Sequence, residues 1–226
     1  MNLGVYSYSK LKTYVQCPRK AKYKYVDGLP DPSGPAAERG KRIHDSLEQF
    51  AEHGSPLDSE ISPVWAERLK HIVGKSFPEL PFAFTRGGKE TTFDDPKAFF
   101  RGVYDCVVPL CGEGEIAEEL ILYEYKTGKV RSEHEQQLGC YARSLFVKSP
   151  HLEKVYGRIV YLDYPDLDPC ELIFNRGPKT KVLQTFLGPV KALDKQIKAD
   201  NLATANPSVL CGWCSFSKKN GGPCEY

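Results

Sequence analysis

No apolar run in this sequence approaches the length of about 20 residues that a membrane-spanning helix needs. The opening stretch MNLGVYSYSKLKTYV also lacks the long apolar centre of a secretory signal. Internal repeats and low-complexity segments are missing too, which sets aside solenoid arrays and flexible polar tracts. Acid is missing from one shorter stretch: Lys10, Lys12, Arg19, Lys20, Lys22 and Lys24 follow one another with no Asp or Glu among them. These absences lead to the expectation of a cytoplasmic protein with no membrane partner. In reducing surroundings its eight cysteines read as free thiols or metal ligands before disulfides.

What is present describes an ordinary globular chain. Its 226 residues are 41% hydrophobic and 27% charged, enough for one domain with a sizeable core and too apolar for disorder. The net charge of +2 decides little, because the basic residues are unevenly placed. Helical spacing runs over Ser9–Tyr25 and again over Arg39–Glu52, where Ile43, Leu47, Phe50 and Ala51 share a face. Proline-broken loops flank that second helix, and a further helix is expected around Trp65–Val73.

The period then changes to that of strands. AFTRGGKETTF, AFFRGVYDCVV and EELILYEYKTG carry aromatic and branched residues between turns. Ser132 faces Glu135 as a capping box that opens a helix with the stripe Leu138, Tyr141, Ala142 and Leu145. VYGRIVYL and CELIFN read as strands, and Thr180–Ala199 as a long amphipathic helix. Helices around a central strand group predict an α/β fold with a mixed sheet.

Strand alternation places Leu120, Leu122, Glu124 and Lys126 on one face and Ile121, Tyr123 and Tyr125 on the other. On the preceding strand Asp105 shares a face with Val103 and Val107. If those strands pair through the connection at Cys111–Glu118, Asp105 meets Glu124. Two converging carboxylates repel unless a cation lies between them, and magnesium or manganese suits oxygen ligands. A lone E-x-K is more often an exposed ion pair than a site, so its company matters. That company is His44 beside the Ile43–Leu47–Phe50 stripe, Asp105 within RGVYD, and Gln137 with Tyr141 at i and i+4 on the next helix. Gly40, four residues before His44, would let its helix approach the sheet closely. Arg101, on the face of Asp105, is a candidate phosphate contact.

Four cysteines, Cys106, Cys111, Cys140 and Cys170, are scattered singly and read as buried free thiols. Cys211, Cys214 and Cys224 instead have ligand spacing in a glycine-rich tail. Too little chain follows CGWC to build a thioredoxin-like fold around a dithiol. Three thiolates need a fourth ligand for a tetrahedral zinc or a cubane cluster.

Taken in order, Gly40 and His44 (G-x-x-x-H), Gly102 and Asp105 (G-x-x-D), Glu124 and Lys126 (E-x-K) and Gln137 and Tyr141 (Q-x-x-x-Y) resemble the PD-(D/E)XK nucleases. The likeness is to their RecB-like branch, which includes the CRISPR-associated adaptation exonucleases, and it spans essentially the whole chain. No proline precedes Asp105, which fits that branch. The resemblance implies a restriction-endonuclease-like core in which His44, Asp105, Glu124 and the Tyr125 carbonyl hold magnesium or manganese. Lys126 would serve the attacking water, and Asp105 and Glu124 would be catalytic with it. Gln137 and Tyr141 would support the lysine or the DNA backbone.

The same resemblance makes Cys17, in QCPRK, the fourth ligand of a four-iron, four-sulfur cluster with Cys211, Cys214 and Cys224. Zinc on the same cysteines is the alternative. The cluster would join the terminal segments 1–38 and 200–226 beside a nuclease core at 39–199, within a single domain 1–226. Arg19, Lys20, Lys22 and Lys24, interleaved with tyrosines, would then bind single-stranded DNA through phosphate contacts and base stacking. The expected activity is a metal-dependent DNA exonuclease acting on single-stranded ends. The alternative is a non-catalytic DNA-binding or scaffold subunit of a recombination or CRISPR adaptation complex. A helicase, recombinase or integrase partner is compatible with either.

Overall fold

The computed structural model describes residues 1–112 and 114–226. Six strands form one mixed sheet: β1 (Phe77–Thr85), β2 (Glu90–Thr91), β3 (Ala98–Pro109), β4 (Glu119–Lys126), β5 (Lys154–Tyr161) and β6 (Cys170–Asn175). Their order is β2-β1-β3-β4-β5-β6. β4 and β5 are parallel, while β1 with β2, β3 with β4 and β5 with β6 are antiparallel. The parallel pair needs a crossover, which is α5 (Glu133–Lys148). The expected α/β class with a mixed sheet flanked by helices is what the chain forms. Among the described residues no helix is long and apolar enough to cross a membrane.

The chain divides into two compact units. One comprises residues 35–82 and 102–186. Here α3 (Pro35–His53) and α4 (Pro63–Leu69) bury Ile43, Leu47, Phe50, Trp65 and Leu69 against Cys106, Ile121, Tyr123 and Tyr125 of the strands. The Trp65 indole N–H donates to the Leu162 carbonyl at 3.1 Å, so its one polar atom is satisfied inside the core. Both helices open on a proline at the first turn, where a missing N–H costs nothing. That is why α3 begins four residues before the expected Arg39. The last turn expected near Val73 tightens to a 3-10 turn at Lys70–Ile72.

The other unit comprises residues 1–34, 83–101 and 187–226. Residues 1–34 and 187–226 thus fall in one unit together with residues 83–101. The helix expected over Ser9–Tyr25 is two helices, α1 (Tyr8–Gln16) and α2 (Pro18–Tyr25). Pro18 forces the preceding Cys17 out of the helical region, to φ −160° and ψ 106°. Tyr6 bridges to Phe100 in parallel, and its hydroxyl donates to Asp194 at 2.8 Å. Arg86 closes the charge on Asp194 at 2.6 Å. Asp194 lies on α6 (Val182–Ala199), which contains Pro189 and starts two residues after the expected Thr180.

The Ser132 capping box does not form. Ser132 has helical backbone angles, φ −61° and ψ −25°, and its side chain caps nothing. A capping serine needs extended angles to turn its hydroxyl back on the first turn. The stripe Leu138, Tyr141, Ala142 and Leu145 is buried as expected.

Candidate metal centre

Within the unit that holds residues 35–82 and 102–186, four elements bring charged groups together. The register Cys106↔Tyr123 sets Asp105 opposite Glu124 on the antiparallel pair β3–β4. Asp105 Oδ2 accepts the backbone N–H of Tyr125 at 2.7 Å, which fixes the carboxylate against β4. Glu124 is 1% exposed. Its Oε1 accepts from the Lys126 ammonium at 2.5 Å and from the Gln137 amide at 2.7 Å. Gln137 also accepts from Lys126 at 3.2 Å, so α5 clamps both ends of the E-x-K pair. Glu124 Oε2 is buried and has no hydrogen-bond partner. A buried polar atom left unpaired in this way costs on the order of 1–3 kcal/mol.

Burial raises the Glu124 carboxyl to about 8, the nearby Asp105 charge adds to the rise, and Lys126 opposes it. Burial also raises Asp105, against the pull of His44 and Lys126. Two carboxylates in a dry place with a single ammonium, on Glu124, retain a proton, as like charges must. Burial lowers Lys126, but the charges of Glu124 and Asp105 outweigh it and hold the ammonium above its ordinary value.

His44 comes from α3. Its Nδ1 is 3.3 Å from Glu79 Oε1 and 3.7 Å from Asp105 Oδ1. Burial lowers its pKa, yet the Glu79 hydrogen bond and the charges of Asp105 and Glu79 carry it up to about 9. His44, Glu79 and Asp105 offer ligand atoms that all lie within 4.8 Å of one another. A His, Glu and Asp set with a partnerless Glu124 oxygen nearby has the chemistry of a divalent-cation site.

No sequence pattern points to Glu79. It sits between two prolines on β1 with φ +44°, a left-handed angle that removes it from any strand alternation. Its surroundings, the proline-bracketed stretch FPELP, carry no chemical signature.

Tyr141 is buried with its ring edge-on to Phe82 and Tyr104, at 5.4 and 5.8 Å between centroids. A Cβ on Gly102 would stand 2.7 Å from the Phe82 ring and 3.1 Å from the Tyr141 hydroxyl. The glycine of G-x-x-D is therefore a packing requirement. Gly40 is not: a Cβ there would meet only Thr127 Oγ1 at 3.6 Å, an ordinary contact. The expected close approach at Gly40 is absent.

Within the other unit, Cys17, Cys211, Cys214 and Cys224 line one pocket together with Lys20 and Tyr23. Backbone N–H groups of Asn206 and Ser208 donate to Cys17 Sγ and Cys211 Sγ at 3.5 and 3.4 Å. Such bonds suit sulfur that carries thiolate charge. Cys224 is drawn back by a bridge to Ser217 and by its N–H to Phe216 O at 2.8 Å. Gly222 permits that fold, since a Cβ would lie 2.2 Å from the Phe216 backbone. Of the scattered thiols Cys106 is buried and Cys140 and Cys170 are partly so, whereas Cys111 is exposed on the turn after β3. Its expected burial does not hold, because β3 has ended by then.

The basic run of α2 is largely engaged within its own unit. Arg19 donates to Ala203 O and Glu225, Lys22 pairs with Asp27 at 2.6 Å, and Lys24 pairs with Asp31 at 2.6 Å. The acids absent between Lys10 and Lys24 are supplied from just downstream and from the tail. Arg101 donates to Phe93 O at 2.9 Å and lies over the Phe93 ring.

A family model described as PD-(D/E)XK nuclease superfamily matches residues 5–218 of the chain. Among solved structures, the crystal structure of SSO0001 is similar with a TM-score of 0.47 and 18% identity. That match covers 96% of this chain and 86% of the other. No curated protein matches.

Proposed function

The chain belongs to the PD-(D/E)XK nuclease superfamily, whose members are metal-dependent nucleases, and we propose that it is a DNA exonuclease of the RecB-like branch acting on single-stranded ends. The observation that carries this reading is Glu124, buried beside Asp105 with Lys126 on one oxygen and nothing on the other. His44, Asp105, Glu124 and the Tyr125 carbonyl would hold magnesium or manganese. When bound, the ion supplies charge stabilisation at phosphorus and lowers the pKa of a water.

The protein's own groups do the rest. Lys126 stays protonated in the field of Glu124 and Asp105, so it orients a water and offsets charge developing on the phosphate. Gln137 holds both Lys126 and Glu124 and keeps them from swinging apart. Asp105 is fixed by the Tyr125 N–H and does not need to reorganise. The preference for single-stranded ends follows the branch the motifs resemble.

We also assign a structural four-iron, four-sulfur cluster to Cys17, Cys211, Cys214 and Cys224. The shared pocket and the N–H bonds to sulfur support it. Phosphodiester hydrolysis moves no electrons, so the group serves the fold.

The test is digestion of end-labelled single- and double-stranded DNA by anaerobically purified protein with magnesium or manganese. Shortening from the ends of single strands, stopped by chelator, is expected. DNA binding without cleavage under either metal would replace the enzyme with a binding subunit.

A further inference from the structure

The motif residues leave one charged group at the centre without a role. Glu79 reaches His44 at 3.3 Å from a strand the motifs do not include. Its ligand atom, with those of His44 and Asp105, falls inside a 4.8 Å group. The three side chains are 32%, 28% and 11% exposed, so an ion can reach them from solvent while keeping only part of its water. Glu48, one turn beyond His44 on α3, feels the Glu79 charge and adds to the acid excess there. Glu124, across the β3–β4 register from Asp105, adds a buried Oε2 with no hydrogen-bond partner.

The backbone adds a cost that needs a return. A glutamate at φ +44° pays for its position, since L side chains other than Asn and Asp rarely enter the left-handed region. Such outliers persist where the surroundings or a function demand them. Here the angle turns the side chain toward His44 instead of along the strand.

We propose that Glu79 is a direct ligand of the divalent cation, a third carboxylate beside Asp105 and Glu124. The charges balance: three carboxylates against the Lys126 ammonium leave two negative charges for one divalent ion, with His44 neutral when it ligates. The cation would be gripped from β1 as well as from β3 and β4. This rests on the nuclease reading only in that both use the same ion.

Manganese binding to metal-free protein, followed by calorimetry and by the electron spin resonance of the free ion, tests the proposal apart from cleavage. Glu79→Gln keeps the shape and removes the charge. It should weaken manganese binding by about 10-fold or more, since even outer groups at metal sites are worth that much. Glu79→Gly should show the same loss of manganese affinity, with the backbone strain at φ +44° relieved and the His44 contact removed together. Manganese affinity within about twofold of wild type in Glu79→Gln would overturn the assignment. So would a lower metal-free melting temperature with unchanged affinity, which would make Glu79 a structural partner of His44. Glu79-dependent manganese binding by a protein that cuts no DNA would sink the nuclease reading and leave the ligand standing.

Discussion

Lys126 and Glu124 meet at 2.5 Å through one carboxylate oxygen, and the other oxygen of Glu124 is left buried and alone. The ammonium satisfies half of the acid and cannot satisfy the rest. A neutral hydrophobic pair would be cheaper in such a place, because desolvating an ion pair returns little net stability. The arrangement costs stability, and the proposed reaction is what it would serve.

Lys126→Ala follows from that geometry. Cleavage should fall by roughly 10²-fold or more, the scale seen when one group that stabilises a developing charge is removed. The fold should survive, since Glu124 can keep a proton once its partner is gone. End-labelled DNA digestion and a thermal melt check both halves, and near-normal cleavage would remove Lys126 from the chemistry.

Glu124→Gln separates stability from metal binding. In chelator near pH ~8 the variant should melt at or above wild type, because a neutral amide replaces a buried acid whose ionisation is unfavourable there. The rise in melting temperature expected of wild type with magnesium should be absent from this variant. Undiminished stabilisation by magnesium in this variant would place the ion elsewhere.

The pH dependence has a definite sign. His44 rises from 6.5 to about 9 and Glu124 from 4.5 to about 8 on folding. Each then binds more protons folded than unfolded between those values, so stability falls as pH rises. The contribution of protonated His44 is complete below 6.5 and gone above about 9, and ionising Glu124 costs stability up to about 8. Metal-free protein should melt progressively lower from about pH 6 to about pH 9, and magnesium should flatten the decline by binding the deprotonated ligands. A melting temperature in chelator that climbs over this range would contradict the charge arrangement.

Cys17→Ala should lose iron and acid-labile sulfide as fully as Cys214→Ala, although the two cysteines lie at opposite ends of the chain. Both line the same pocket. Cys106→Ala should keep the metal, because Cys106 is buried among Ile121 and Tyr123 in the other unit. Zinc in place of iron in wild type would keep the ligand set and change the group. A full iron complement in Cys17→Ala would exclude it as a ligand.

Much of this was legible in the chain because it follows a short period. Alternation along β4 put Glu124 and Lys126 on one side, and that is where they meet. The i, i+4 spacing put Gln137 and Tyr141 on one face of α5, and Gln137 reaches the E-x-K pair. What was hidden depends on single backbone angles. Glu79 is turned by one positive φ, and Ser132 fails as a cap because its own angles are already helical. The split at Cys17 could have been read from Pro18, which disfavours a helical residue before it. The acids that neutralise Lys22 and Lys24 sit a few residues past the run, so a count confined to the run overstated its free charge.

The two motif glycines make the last contrast. Both precede a site residue on its own element, yet only one is required by packing. Gly102→Ala would push a methyl group to 2.7 Å from the Phe82 ring, which is stacked on Tyr104 at 4.2 Å and cannot easily retreat. Overpacking of this kind costs about 1–3 kcal/mol. The displaced ring would press on Tyr141 and disturb the strand that carries Asp105, so cleavage should fall with stability. Gly40→Ala meets only Thr127 at 3.6 Å and lies inside α3, where alanine is favoured over glycine by about 1 kcal/mol. It should raise stability and leave the site intact. Urea unfolding of both variants decides the matter: equal losses would mean that the helix glycine is also pressed against the sheet, contrary to its open surroundings.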